Sequence, residues 1–218
     1  MSEFGDYSGL EEKCISFLKN RLNETDTAHD FAHTKRVVAN AKTLLMSERA
    51  DSEVVLAAAW LHDCETLPKN HPERKKASAY AANTAVQFLS TIHFPTEKME
   101  QTAHAIEAHS FSAGLTPRTM EAKIVQDADR LDALGAIGIA RCFAVSGELK
   151  RPIYNSDDPF CETREPDDTI WTIDHFYTKL FKLPDTMNTE SARIEAKKRA
   201  IFMELYLNRL REEIINTA

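Results

Sequence analysis

The chain is expected to be all-α, on three observations. Glycine and proline are scarce, 6 and 8 of 218 residues, while the helix-favouring residues Ala, Leu, Glu and Lys are abundant. Apolar residues recur at helical spacing along most of the length. Where that spacing lapses, capping residues or prolines mark the boundaries.

Leu10, Cys14, Phe17, Leu18 and Leu22 share one face of a first helix. A second runs over about residues 31–46, with His33 in its first turn and Asp30 placed as an N-cap or as a partner that orients a histidine. Asp51-Ser52-Glu53 supplies the cap of a third, which carries the apolar run Leu56-Ala57-Ala58-Ala59-Trp60-Leu61 and ends near His62-Asp63. Pro68 and Pro72 make residues 67–72 a loop. Helices follow over about 73–93 and, just after Pro95, over 96–109; residues 110–117 read as a loop. A helix over 122–145 is expected to break near Gly135 and Gly138. Between 147 and 173, Pro152, Pro159, Pro166 and the acidic pairs Asp157-Asp158 and Asp167-Asp168 mark an irregular insertion, read as a packed surface loop rather than a lid. Helix returns over 174–183 and 189–215, with Ile194, Ile201, Phe202, Leu205 and Leu210 on one side of the last. The expectation is one domain over 1–218, with a core over about 28–146 and a C-terminal helical extension over about 174–216.

A formal charge of -7 argues against a nucleic-acid polymer as partner, since phosphate backbones need a basic surface. No stretch approaches the roughly 18 apolar residues of a membrane span, and the acidic start is unlike a secretory signal. The four cysteines, Cys14, Cys64, Cys142 and Cys161, are scattered without close pairs, which fits reduced thiols in a cytoplasmic protein. Cys64, beside Asp63, is the one thiol whose position raises the question of oxidation or soft-metal binding.

His62 and Asp63 are the most informative pair. Consecutive helical residues point about 100° apart, so an imidazole and a carboxylate so placed can both reach one metal beside the helix. No amphipathic pattern asks for them. His33 lies upstream in His29-Asp30-Phe31-Ala32-His33, and Asp129 downstream in Gln126-Asp127-Ala128-Asp129-Arg130-Leu131-Asp132. His29-Asp30 is a second dipeptide of the same kind, but no apolar helix precedes it.

In this order, H…HD…D, the sequence resembles the HD superfamily of metal-dependent phosphohydrolases. The strings Lys69-Asn70-His71-Pro72, His104-Ala105-Ile106-Glu107-Ala108-His109-Ser110-Phe111-Ser112, Gly135-Ala136-Ile137-Gly138 and Asp174-His175-Phe176, with Lys179-Leu180 and Lys182-Leu183-Pro184, narrow the resemblance to bacterial YedJ-like HD hydrolases. It extends from about residue 28 to the last helix. It implies a compact all-helical fold, hydrolysis commonly of nucleotides, and His33, His62, Asp63 and Asp129 as metal ligands. Two nitrogen and two oxygen donors with a summed charge of -2 suit Mn²⁺, Mg²⁺, Fe²⁺, Co²⁺ or Ni²⁺ with open positions better than a closed structural zinc site. One metal is expected. A second, held by extra histidines as in some superfamily members, is the other option.

Around these residues, Lys69 follows the ligand helix on a proline-bounded loop and either reaches a substrate phosphate or is an exposed surface lysine. Arg130 either donates to phosphate or ties down Asp127 or Asp132; Asp132 either positions the attacking water or forms a helix salt bridge. Lys69, Arg130 and Asp132 are the catalytic candidates. Substrate contacts are expected from Lys69, His109, Ser110, Ser112 and Arg130, with His104 either a partner that supports a site residue or a hydrogen-bonded helix residue, and the helix of His175 and Lys179 in a packing role.

The expected activity is hydrolysis of a phosphate ester or phosphoanhydride of a small phosphorylated substrate, first a nucleoside triphosphate cleaved to pyrophosphate. A 5'-nucleotidase or cyclic-nucleotide phosphodiesterase is the alternative within the class, and a metal- and nucleotide-binding sensor without turnover the alternative outside it. Monomer and homodimer are both open, since the amphipathic terminal helices offer faces to a second copy.

Overall fold

A computed structural model gives the fold for residues 5–19, 21, 30–67, 71–110 and 113–215, which are the described residues. They are helical, with no strand among them. The elements are α1 (Ser8–Lys19), α2 (Phe31–Leu45), α3 (Ser52–Leu61), α4 (Ala77–Thr91), α5 (Thr96–His109), α6 (Met120–Leu131), α7 (Gly135–Glu148), α8 (Asp174–Thr178) and α9 (Glu190–Ile215). Short 3₁₀ segments at Arg74–Lys76 and Leu180–Thr186 precede α4 and follow α8. By internal contacts the chain falls into two compact units, Met1–Asp129 and Arg130–Ala218.

In the first unit α3 is the hub. Every residue from Val54 to Leu61 is buried, as a helix apolar on all sides must be. Helices α1, α2, α4 and α5 pack against it. Asp51 caps its start, accepting from the amides of Glu53 and Val54, while Glu121 of α6 accepts from the Asp51 amide at 2.9 Å. Asp30 caps α2 in the same way, accepting the His33 amide at 2.6 Å. Val37, Val38, Ala41, Leu44 and Leu45 then bury the inner face of that helix. Phe17 of α1 stacks on Phe88 of α4 at 4.1 Å between ring centroids. Leu22, expected on the face of α1, lies outside the described residues.

In the second unit the helix expected over 122–145 is two helices. Residues 132–134 turn, and α7 begins at Gly135 with φ +73°, which an L side chain rarely adopts. The 149–173 stretch is irregular, as expected, and is tied down by carboxylates. Asp158 accepts the amides of Glu162, Thr163 and Arg164. Buried Asp174 takes both terminal nitrogens of Arg164, at 2.5 and 2.7 Å, and the Asp167 amide.

Two expectations fail in this unit. The helix over 174–183 stops at Thr178, because Lys179 leaves helical dihedrals (φ -133°) and the chain continues as a 3₁₀ segment containing Pro184. The face expected for α9 is the wrong one. Ile194, Ile201, Phe202 and Leu205 are 49–62% exposed, while Ala192, Ala196, Ala200, Met203 and Leu207 are buried. Small alanines let α9 approach α7 and the 3₁₀ segment closely, and that packing outweighs the larger apolar residues on the opposite face.

Candidate metal centre

Three helix ends and one helix start of the first unit converge. His33 comes from the first turn of α2, His62 caps the C-terminus of α3 with Asp63 next to it, His109 is the last residue of α5, and Asp129 lies near the end of α6. Two side chains hold α6 against its neighbours: Asn40 Nδ2 donates to the Ala128 carbonyl at 3.0 Å, and buried Gln126 Nε2 to the Ala108 carbonyl at 2.7 Å.

The inward atoms lie close together. His33 Nε2 is 3.3 Å from His62 Nε2, 3.4 Å from Asp129 Oδ1 and 3.8 Å from Asp63 Oδ2. His62 Nε2 is 3.4 Å from Asp63 Oδ2. Ligands of a cation bound at about 2.1 Å lie roughly 3.0 Å apart at right angles and about 3.4 Å apart at tetrahedral angles. The 3.3–3.4 Å spacings are those of a coordination shell, and the donors form two groups that share His62: His33, His62 and Asp129, and His62, Asp63 and His109.

The ring orientations are fixed from behind. His62 Nδ1 donates to the Ala59 carbonyl at 2.8 Å, and His109 Nδ1 to the Ile106 carbonyl at 2.5 Å, the same arrangement three residues back in each helix. In a neutral ring the other nitrogen, Nε2, then presents a lone pair inward. Lone pairs this close to a second imidazole and to carboxylate oxygens repel unless a positive charge lies among them. Protons meet that demand in the metal-free protein. Burial works against a charged His62, yet Asp63 and Asp129 lift it to about 9. Burial likewise works against charged Asp63, but His62 and His109 hold its carboxyl well below the usual range. A divalent cation fits the donors in type, charge and spacing.

A pH dependence follows with a definite sign. His62, raised from 6.5 to about 9, must give up its proton for a metal to bind, while Asp63 and Asp129, both lowered, are already ionised. Between pH 6.5 and about 9 the affinity for Mn²⁺ should rise by about tenfold per pH unit, with release of about one proton per ion. Calorimetric titrations in buffers of different ionisation enthalpy would count that proton. Asp30→Ala removes the cap that seats His33 and should cost about 1 kcal/mol, or about 2–4 °C in Tm, with Asp30→Asn restoring most of it in thermal melts.

The remaining candidates separate. His109 Nε2 reaches Asp63 Oδ1 at 3.4 Å, so it joins the ring of donors on the carboxylate oxygen that His62 does not face. Its position at a helix C-terminus with an i−3 carbonyl partner, shared with His62, is the signal that spacing from His104 obscures. His104 points elsewhere, accepting the Arg118 amide at 3.0 Å. Ser110 caps α5, and Lys69 and Ser112 lie outside the described residues. In the second unit Arg130 donates to the Thr186 carbonyl at 2.5 Å. Asp132 is buried and accepts from Arg141 Nη1 at 2.7 Å, which favours its salt-bridge reading over that of a base. Glu65 pairs with Arg21 at 2.9 Å. Burial pushes the Cys64 thiol up to about 12, so it stays protonated and unreactive.

Imidazoles and carboxylates that meet in this way at helix ends form a candidate site for a divalent metal. The HD domain family matches residues 30–134 of the chain. The uncharacterized protein YpgQ of Bacillus subtilis is 30% identical over 207 residues, covering 93% of each chain. Among solved structures, an HD-superfamily hydrolase of Bacillus thuringiensis is 34% identical, with a TM-score of 0.74 over 94% of this chain and 97% of that one. Bacillus subtilis YpgQ in complex with ADP is 30% identical, with a TM-score of 0.69 over 93% and 95%. The chain belongs to the HD superfamily, a family of metal-dependent phosphohydrolases. Among the described residues no helix is long and apolar enough to cross a membrane.

Proposed function

We propose that this chain is a cytoplasmic phosphohydrolase of nucleotides, and first a nucleoside triphosphate hydrolase that releases pyrophosphate. The observation that carries the reading is the convergence of His33, His62, Asp63 and Asp129, with donor atoms 3.3–3.8 Å apart in the contacts they make. That a similar protein, YpgQ, was crystallised with ADP supports a nucleotide as substrate. Free, mostly buried cysteines support the cytoplasmic location.

In this reading the four residues hold one divalent ion, Mn²⁺ or Mg²⁺ first. The bound ion would supply Lewis acidity and a water acidic enough to attack phosphorus at neutral pH. The chain's own part is orientation. Ala59 and Ile106 fix the His62 and His109 rings, and Asp30 seats the turn that carries His33. His109, with a proton on each ring nitrogen, would donate Nε2–H to a phosphoryl oxygen of the substrate, with Ser110, Ser112 and Lys69 as further contacts. His109→Ala should then keep its metal and raise KM about tenfold or more, the worth of one charged hydrogen bond, whereas His62→Ala should lose the metal.

The test is a phosphorus-NMR time course on a panel of nucleoside and deoxynucleoside mono- and triphosphates, with Mn²⁺ and Mg²⁺ in separate samples. Pyrophosphate release from triphosphates supports the proposal. Orthophosphate from monophosphates would make the enzyme a nucleotidase, and binding without any product would make the protein a sensor.

A further inference from the structure

The second unit carries a group of charged side chains that the metal chemistry does not use. His175 Nδ1 lies 2.6 Å from Asp168 Oδ2, and Thr178 Oγ1 donates to the same oxygen at 2.9 Å. The imidazole is thus held by one nitrogen, with Nε2 unengaged among the described residues. It is a fixed and partly exposed ring on a helix whose Phe176 packs into the core.

Two cations stand beside it. Lys179 follows His175 by four residues, its amide bonded to the His175 carbonyl, so the two lie on one face of α8 and its cap. Arg151 is placed by its amide on the Ser146 carbonyl, and the next two carbonyls, of Pro152 and Ile153, accept the amides of Thr172 and Ile173. This pairing sets Arg151 beside the start of α8. Burial holds His175 below the ordinary imidazole value; Lys179 and Arg151 add to that and Asp168 opposes it, which places both cations in its field.

Most arginines of the unit (Arg141, Arg164, Arg193, Arg199, Arg209 and Arg211) have carboxylate partners among the described residues. Arg151 and Lys179 pair with none among the described residues. Around one carboxylate, Asp168, stand two permanent cations and an imidazole that can become a third. That excess of one to two positive charges matches a phosphate dianion better than a single carboxylate.

We propose that His175, Lys179 and Arg151 form a recognition site for a phosphoryl group, with Asp168 and Thr178 locking the imidazole in place. The group could come from inorganic phosphate or from a nucleotide, and the test separates the two. Full-length Mg²⁺-loaded protein, labelled with ¹⁵N in its histidine rings, would be titrated with inorganic phosphate and, separately, with a non-hydrolysable nucleoside triphosphate analogue. The His175 resonances, assigned with His175→Gln, should shift and saturate with at least one of them, and the lower midpoint names the source. In the Arg151→Ala/Lys179→Ala double variant the midpoint should rise at least about tenfold at unchanged helicity and metal content. Because the readout is local, it stands apart from whether any nucleotide is turned over. His175 signals that ignore both ligands at millimolar concentration, or an unchanged midpoint in the double variant, would overturn the proposal.

Discussion

Asp63→Ala should abolish metal binding and lower phosphohydrolase turnover by about a thousandfold or more. A metal that stabilises the transition state by several kcal/mol corresponds to that factor, since each 1.36 kcal/mol is about tenfold in rate. Asp63 is the residue to change because both of its oxygens meet imidazole nitrogens. One of its oxygens faces His62 and His33, and the other faces His109. Without it three imidazoles crowd a site with a single carboxylate, Asp129, and the neutral N-rich set loses the charge that draws in a divalent cation. The fold should survive. Asp63 is partly exposed and follows the end of α3, so circular dichroism and the melting curve of the metal-free variant should stay close to those of the metal-free parent. Metal content by mass spectrometry of the dialysed protein, beside the rate, checks the prediction.

Gly138→Ala should have the largest effect on stability of any conservative change. An added Cβ would sit 2.2 Å from the carbonyl oxygen of Ala133 and 2.5 Å from its carbon, where real Cβ atoms essentially never approach within 3.0 Å. Both sides of that clash are backbone, so no side chain can swing away. Relief requires α7 to move from the 132–134 turn, where Arg199 Nη1 also anchors the Leu131 carbonyl at 2.7 Å. A cost of about 3 kcal/mol or more is expected, at the upper end for overpacking, or a fall in Tm of roughly 6–12 °C. Gly147→Ala, where an added Cβ meets nothing within 4 Å, is the matched control and should change little or gain slightly from helix propensity. Melting curves of the two variants decide it.

The parts of the fold legible in the sequence were those with local causes. Helices α2, α3 and α5 begin where Asp30, Asp51 and Pro95 say they should, because a cap or a proline acts within its own turn. The apolar run of α3 identified the buried hub for the same reason. What local pattern did not show was set by neighbours. The buried side of α9 follows its alanines, since close approach to α7 rewards small residues over large ones, and no feature of α9 alone announces that neighbour. The end of α8 at Lys179 depends on the 3₁₀ segment that follows. At the site, the order of His33, His62-Asp63 and Asp129 was readable as a pattern. His109 was expected at the substrate and apart from His104; what spacing along one helix did not show is that its Nε2 lies 3.4 Å from Asp63, a residue of another helix end. Asp132 offered two roles on paper, and its partner Arg141, nine residues on, lies beyond the range of helix spacing rules.

The proposed function requires that His33, His62, Asp63 and Asp129 together make one binding site for a divalent metal. Calorimetric titration of Mn²⁺ into metal-free protein tests it most directly, with the parent compared against His62→Ala and, as a control outside the centre, His104→Ala. One tight Mn²⁺ per chain is expected in the parent and in His104→Ala, and loss of that site in His62→Ala. Equal affinity and stoichiometry in the parent and His62→Ala would contradict it.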